Sequence, residues 1–385
     1  MREIFISFIL TLALCARAQT QLDKPLAFVP ADSIVGMGFD RTDLRRTAIL
    51  TGNGENVPTI SAQRLAPGDF KRELRAWQRQ ILPSFTLSGI SGAADGDEAV
   101  ISASRALDAA ARLLLLTADA SFADAIERLT FNQLLATAAQ PGPSSFAKSY
   151  ALRAVARAAG MAYATDDEGV FVNFYMNGSA TVHAGSVKLT LDVVTRMPEQ
   201  GIVKVRIGSL RHEGTPLKLR VRIPLWADGK AYPEGRFAMV GAGKEQAEVY
   251  VNGRPPLNVQ LRSGYMEIER EWNNGDELML RLPTAPVFVR HADKGRAAGI
   301  RGQLAVVCGP LVYAPQAATD SCYAVATIPP EVHTDLNRQG HIQLLLKMFC
   351  DKGIPADAKA PERFFLLQPF MDCPPTASPW LREPK

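Results

Sequence analysis

The sequence predicts a multidomain α + β protein: a partial helical region, then an antiparallel β-sandwich, then a mixed C-terminal segment. Two observations carry this. Apolar residues recur near every 3.6 positions in the helical runs between residues 69 and 160, and from Met161 they recur every second position. From there, turn clusters such as DDEG, NG and NNGD separate runs of alternating apolar and polar residues, the pattern of strands with one solvated face.

At the N-terminus, Arg2 precedes an apolar run from Ile4 to Leu14, and Ala16-Arg17-Ala18 follows, which reads as a signal peptide over residues 1–18. The run is too short to span a bilayer and no later stretch looks transmembrane, so the expected location is exported, periplasmic or extracellular. Residues 19–68 are punctuated by proline and glycine, with GNGENVP at 52–58 a clear turn cluster, and little structure is expected there. Helices are expected over 69–82, 101–117, 121–139 and 142–160. Asp119 and Ser121 are candidate caps, and Gly160 stands where a left-handed helix end belongs. The helical region is therefore 19–160 and the sandwich 161–283. Residues 284–385 hold a strand at 303–315, a helix around IQLLLKMF (342–349) and FFLLQPF (364–370).

A formal charge of +4 spread over 385 residues points to no particular partner. Lys204, Arg206, Lys218, Arg220 and Arg222 alternate with apolar residues as the wet face of a sheet would, not as the dense stripe of a nucleic-acid binder. Oligomeric state is left open. Of five cysteines, Cys308, Cys322, Cys350 and Cys373 lie near the C-terminus. In an exported chain they allow two disulfides in any of three pairings, or isolated buried thiols; no C-x-x-C spacing suggests zinc.

Catalytic signatures are sparse. There is no G-x-S-x-G, Walker loop or H-E-x-x-H, and the five histidines stand singly. Carboxylates remain the broadest option for glycoside chemistry, which needs an acid and an ionised partner flanking the bond. The candidates are Asp97, Glu98, Asp124 and Glu127, with Glu98 and Glu127 the preferred acid/base residues. The plainer readings are a helix-start pair for Asp97 and Glu98 and a solvated pair for Glu127 and Arg128. Trp226, Tyr232, Tyr265 and Trp272 offer sugar-stacking rings or ordinary core residues. Ser145, at a helix mouth, and Trp226 are the candidate binding contacts.

The ordered pieces LLLLTADASFADAIERLTFNQLLA (113–136), AYATDDEGVFVNFYMNGSATV (162–182), LKLRVRIPLWADG (217–229), VYVNGRP (249–255), GYMEIEREWNNGDELMLRLP (264–283) and GQLAVVCGPLVYAP (302–315) resemble the β-L-arabinofuranosidases of glycoside hydrolase family 127 (GH127). The resemblance implies an (α/α)6 barrel carrying the active site, followed by β-sandwich domains. It also implies a zinc-bound cysteine nucleophile, further cysteine and glutamate ligands, and a separate glutamate acid/base. The family's adjacent cysteines would fall near Ser145–Ala147 and its Glu-x-Cys element near Glu98, Ala99 and Val100, where no thiol stands. The expectation is thus that the zinc site is lost and no cofactor is held, which leaves enzymatic status open.

Twelve barrel helices of about 11–12 residues with connections of about five need roughly 190 residues, more than residues 19–160 supply. A degenerate, shortened member acting on or binding arabinose-containing glycans is the leading reading. The alternatives are an active glycosidase using a relocated carboxylate pair, and a truncated gene product without independent function.

Overall fold

A computed structural model describes residues 26–30, 33–39, 42–43, 67–90, 97–139, 142–241, 245–292, 302–317, 319, 322–328, 330–336, 342–350, 360–373 and 378–383. The signal segment and the 52–58 turn cluster lie outside the described residues. Three short N-terminal strands precede a run of helices, and largely antiparallel sheets follow from Tyr163, the α + β arrangement that the change of period predicts.

Helix α1 (Pro67–Ala76) begins with a proline, carries Asp69 in its first turn and Arg75 in its last, and continues through a π turn (Trp77–Ile81). Phe70, Leu74 and Trp77, at i, i+4 and i+7, are its buried stripe. Helix α2 (Asp97–Thr117) starts on Asp97 and Glu98 and is buried on nearly every side from Ala103 onward. It packs on its helical neighbours and on the N-terminal segment, where the Leu26 N–H donates to the Leu115 carbonyl at 3.0 Å.

Asp119 caps α3 (Ala120–Leu129), accepting from the Ser121 N–H at 2.9 Å. The expected single helix over 121–139 is in fact three pieces: α3, a π turn at Thr130–Leu134, and α4 (Leu135–Ala139). Helix α5 (Ser145–Ala159) is capped by Ser144, whose Oγ accepts from the Ala147 N–H at 3.0 Å. Gly160, expected in a left-handed conformation, is right-handed at φ −64. Met161 and Ala162 donate to the carbonyls of Ala158 and Ala159, so the chain tightens into further turns and never reverses into a left-handed cap.

Two sheets form the sandwich. The first orders its strands as Ala27–Phe28, Tyr163–Thr165, Gly169–Val172, Thr215–Arg222, Tyr265–Trp272 and Gln260–Arg262. All its pairs are antiparallel except Gly169–Val172 with Thr215–Arg222. The second runs Glu248–Val251, Glu277–Arg281, Gln200–Gly208, Val187–Arg196, Asn177–Ala184, Ile34–Phe39 and Thr42–Asp43. Residues 27–28, 34–39 and 42–43, where little structure was expected, thus add strands to the sandwich.

A third sheet is built from Phe237–Val240, Pro286–His291, Gln303–Cys308, Leu311–Pro315, Glu362–Pro369, Ile342–Cys350 and Cys322–Tyr323, with Val332–Leu336 and Leu381–Arg382 at its sides. The expected helix at 342–349 is a strand. Leu344, Leu346 and Met348 are buried while Leu345, Lys347 and Phe349 between them are half-exposed, a period of two that pairing on both sides enforces over the helix propensity of Leu, Lys and Met. One contiguous core joins the helices, the sandwich and the third sheet.

Of the cysteine alternatives, Cys322 and Cys350, directly opposed on neighbouring strands, form a disulfide, and Cys308 and Cys373 are buried free thiols. The closed loop spans a sequence separation of 28. Replacing both bonded cysteines by alanine should lower unfolding free energy by about 3–4 kcal/mol, read by urea titration; an unchanged midpoint would show that this loop is equally restricted in the unfolded chain.

Candidate functional site

Two places emerge from the residues that the sequence singles out. The first lies at the mouths of α2 and α5. Ser144 Oγ donates to Asp97 Oδ1 at 2.5 Å, so the two helix starts meet, bringing the neighbourhood of Glu98 to that of Ser145. Both helix starts face solvent: Asp97, Glu98, Ser144 and Ser145 are exposed, and the Phe146 ring, 50% exposed, lies 5.6 Å from that of Tyr150. Ala147 beneath them is fully buried. The ligating atoms offered here are hydroxyl and carboxylate oxygens, with alkyl and aromatic carbon beside them.

The second place is buried. On α3 and its π turn, Asp124, Glu127, Arg128 and Asn132 fall at i, i+3, i+4 and i+8, one side of the helix, and all four are buried. A polar stripe at that spacing must find partners inside the molecule. Arg222, at the end of a sandwich strand and 0% exposed, supplies them: Nη1 donates to Asp124 Oδ1 at 2.7 Å, Nη2 to Glu127 Oε1, and Nε to the Asn173 carbonyl at 2.6 Å. Trp226 Nε1 donates to Glu127 Oε2 at 2.9 Å and the Leu225 N–H to Asp124 Oδ1 at 3.1 Å. Around them, Tyr175 donates its hydroxyl to the Arg222 carbonyl and Tyr265 to Asn173 Oδ1. Asn132 carries the stripe to the third sheet, donating to the Pro310 carbonyl at 2.9 Å and accepting from the Val312 N–H at 2.8 Å.

The electrostatics are set by burial. Desolvation, aided by the Glu127 carboxylate, pushes Asp124 up to about 7 against the pull of Arg222. Burial lowers Arg128 to about 10 although Glu127 and Asp124 stand near. Arg222 is held above its ordinary value, because the attraction of Glu127 and Asp124 outweighs its desolvation. A void of about 10 Å3, roughly one water molecule, lies among Asp124, Glu127, Arg128, Trp226, Tyr232 and Pro310.

Several expectations change here. Glu127 and Arg128 are not a solvated pair but are 5% and 4% exposed. Arg220 and Arg222 do not belong to a wet face: Arg222 is in the seam, and Arg220 is buried among Asp166, Glu168 and Glu267 over the Phe171 ring. Lys204 and Arg206 do face solvent. Trp226, Tyr232, Tyr265 and Trp272 are all core residues, and Trp226 meets a carboxylate.

Glu98 and Glu127 are not brought together. Glu98 opens α2 and Glu127 lies in α3 beyond the turn at Ala118–Asp119, so at 1.5 Å per residue they stand roughly 15–20 Å apart along the hairpin, more than the roughly 5–10 Å of a glycosidase carboxylate pair. Arg222 is the residue that sequence reasoning missed. Its only signal is position: it is the last of the alternating basic residues, directly before IPLW.

Residues 169–284 match the family model described as β-L-arabinofuranosidase, GH127 middle domain. No curated protein sequence matches significantly. Among solved structures, a GH127 β-arabinofuranosidase superposes with TM-score 0.69 at 19% identity, covering 89% of this chain and 58% of its own. A GH127 β-L-arabinofuranosidase from Geobacillus stearothermophilus T6 gives 0.60 at 18%, covering 78% and 54%. A third, described as a glycoside hydrolase, gives 0.59 at 20%, covering 77% and 54%. The chain thus spans little more than half the length of these structures while sharing their fold.

Two outcomes test the seam. Arg222→Met strands two buried carboxylates and should destabilise by about 3–5 kcal/mol in chemical denaturation; a loss under 1 kcal/mol would mean that the carboxylates relax to solvent. Asp124, raised in the folded state, contributes stability that is complete below its ordinary value near 4 and fades as pH rises through about 7. The stability of the protein relative to Asp124→Asn should therefore fall between pH 4.5 and 7.5; a difference that stays flat over this range would show that Arg222 holds Asp124 ionised throughout.

Proposed function

A chain with the GH127 middle domain over 169–284 and the fold of that family's arabinofuranosidases is GH127-like, and on that premise we propose that this protein is exported and engages arabinose-containing glycans without the zinc–thiolate chemistry that the resemblance implies. The observation that carries this reading is the donor set where α2 meets α5. Asp97 and Ser144 bond to each other, and Glu98, Ser145, Phe146 and Ala147 fill the positions around them. A zinc-bound nucleophile of that kind requires sulfur, and these residues supply none, so they do not fit the metal.

The thiols elsewhere do not compensate. Cys308 and Cys373 sit in the C-terminal part, and burial pushes both up, Cys373 to about 11, so each stays protonated at neutral pH. At the mouth, Ser144 Oγ donates to Asp97 Oδ1 and accepts from the Ala147 N–H, the geometry of a cap that ties two helix starts together. The Cys322–Cys350 disulfide supports the exported reading, as does the apolar N-terminal run.

A second reading has one observation in its favour. Asp124 and Glu127 converge on a single guanidinium and Asp124 is pushed into the range of a general acid. Against it, the cavity beside them admits a water and not a sugar ring.

Purified protein should carry no stoichiometric zinc by elemental analysis and should leave aryl β-L-arabinofuranosides intact, yet bind arabinose oligosaccharides in calorimetry. One zinc per chain together with arabinose release would overturn the metal-free reading. Absence of binding to any arabinose glycan would remove its glycan half. If hydrolysis is seen and falls by about 10²-fold or more in folded Glu127→Gln or Glu98→Gln, the carboxylate reading takes its place.

A further inference from the structure

One polar group in the seam is unaccounted for. Arg128, 4% exposed, has its Nη1 buried and without a hydrogen-bond partner. Native interiors rarely leave a charged donor in that state, because the lost hydration is not repaid. The same side chain lines the void of about 10 Å3, with Asp124, Glu127, Leu225, Trp226, Tyr232 and Pro310 around it.

We infer that this void is a built site for a single internal water molecule, which accepts a hydrogen bond from Arg128 Nη1 and donates to the carboxylate oxygens that share the cavity. Size, chemistry and charge each support water over other occupants. The volume is near the smallest that holds one water. The lining offers a donor in Arg128 and acceptors in Asp124 and Glu127, and burial keeps the Tyr232 phenol protonated, well above its usual range, so its hydroxyl can serve in either role. Both hydrogen bonds that Asp124 receives, from Arg222 and Leu225, go to Oδ1, which leaves Oδ2 for the water.

Charge decides against an ion. Two carboxylates, Asp124 and Glu127, and two guanidiniums, Arg128 and Arg222, share the seam, so with all four ionised their charges balance. A halide would sit against both carboxylates, and a cation against Arg128. A neutral molecule that both donates and accepts meets neither penalty.

The bound water gives Arg128 a role that its protein contacts do not. It ties the guanidinium of α3 to the cavity wall formed by the sandwich residues Trp226 and Tyr232 and by the Pro310 turn, completing the seam between the three parts of the molecule.

The test is a crystal structure of the full chain at a resolution that shows ordered water, with a second crystal soaked in bromide. The expected result is one density peak within about 2.7–3.2 Å of Arg128 Nη1 and no anomalous signal there. An empty void, Arg128 Nη1 turned to a protein acceptor, or a bromide peak in the cavity would each overturn the proposal. In solution, oxygen-17 relaxation dispersion should count one fewer long-lived internal water in folded Arg128→Met than in the parent. An equal count in the two would also overturn it, and the crystal result stands by itself if that variant does not fold.

Discussion

The structure depends on one buried guanidinium. Arg222 leaves a sandwich strand with no exposure to solvent and meets two carboxylates from a helix more than ninety positions away in sequence. Removing such a group from water costs several kcal/mol, and only close partners at every donor return it. Those partners are present: Asp124, Glu127 and the Asn173 carbonyl take the three guanidinium nitrogens, and the Phe174 ring lies 5.4 Å from its centre. The helix cannot rotate or slide without leaving a charge unpaired, so the interaction fixes register between helix and sandwich more than it adds net stability.

That constraint propagates because the stripe on α3 continues. Asn132, eight residues after Asp124, uses its amide group on both the Pro310 carbonyl and the Val312 N–H of the third sheet. Its neighbour Gln133 does the same on another side, accepting from the Ile90 N–H at 2.8 Å and donating to the Ile90 carbonyl at 3.3 Å, which pins the short hairpin Phe85–Ile90 to the helix. The π turn at Thr130–Leu134 contains both residues. Adjacent residues on a helix point about 100° apart, so Asn132 and Gln133 face different sheets from neighbouring positions.

Much of the fold is legible in the sequence because periodicity reports burial directly. The change from 3.6 to 2 at Met161 marks the passage from helices to sheets, and Asp119 announces the cap it forms, whereas Ser121, the other candidate, is the residue whose N–H is capped. Where the sequence misleads, two structures compete on similar local terms. IQLLLKMF has residues that favour a helix, and only strands far away in sequence, at 332–336 and 362–369, make it a sheet member. Lys204 and Arg222 look alike as basic residues in alternating strands, yet one is wet and the other buried. Nothing local distinguishes them, because the carboxylates that receive Arg222 belong to another element. The same holds for the site: Glu127 reads as a surface acid or a catalyst from its neighbours Ile126 and Arg128, and its use as a structural anion is decided by Arg222 and Trp226.

The two polar places in the molecule also differ in what a change would cost. At the mouths of α2 and α5 the groups are exposed, and substitutions at exposed positions outside caps typically alter stability by about half a kcal/mol or less; even a lost cap such as Ser144 costs only about 1 kcal/mol. In the seam, removal of one partner leaves a buried charge and costs several times that. Chemistry at the mouth can therefore change residue by residue while the scaffold stays intact, whereas the seam tolerates only coordinated change in Asp124, Glu127 and Arg222 together. A fold shared with arabinofuranosidases at 18–19% identity is what that asymmetry permits. Shape is held by an internal network that does not depend on what the helix mouths bind, so the fold by itself cannot assign the reaction, and the donor atoms at the mouth must.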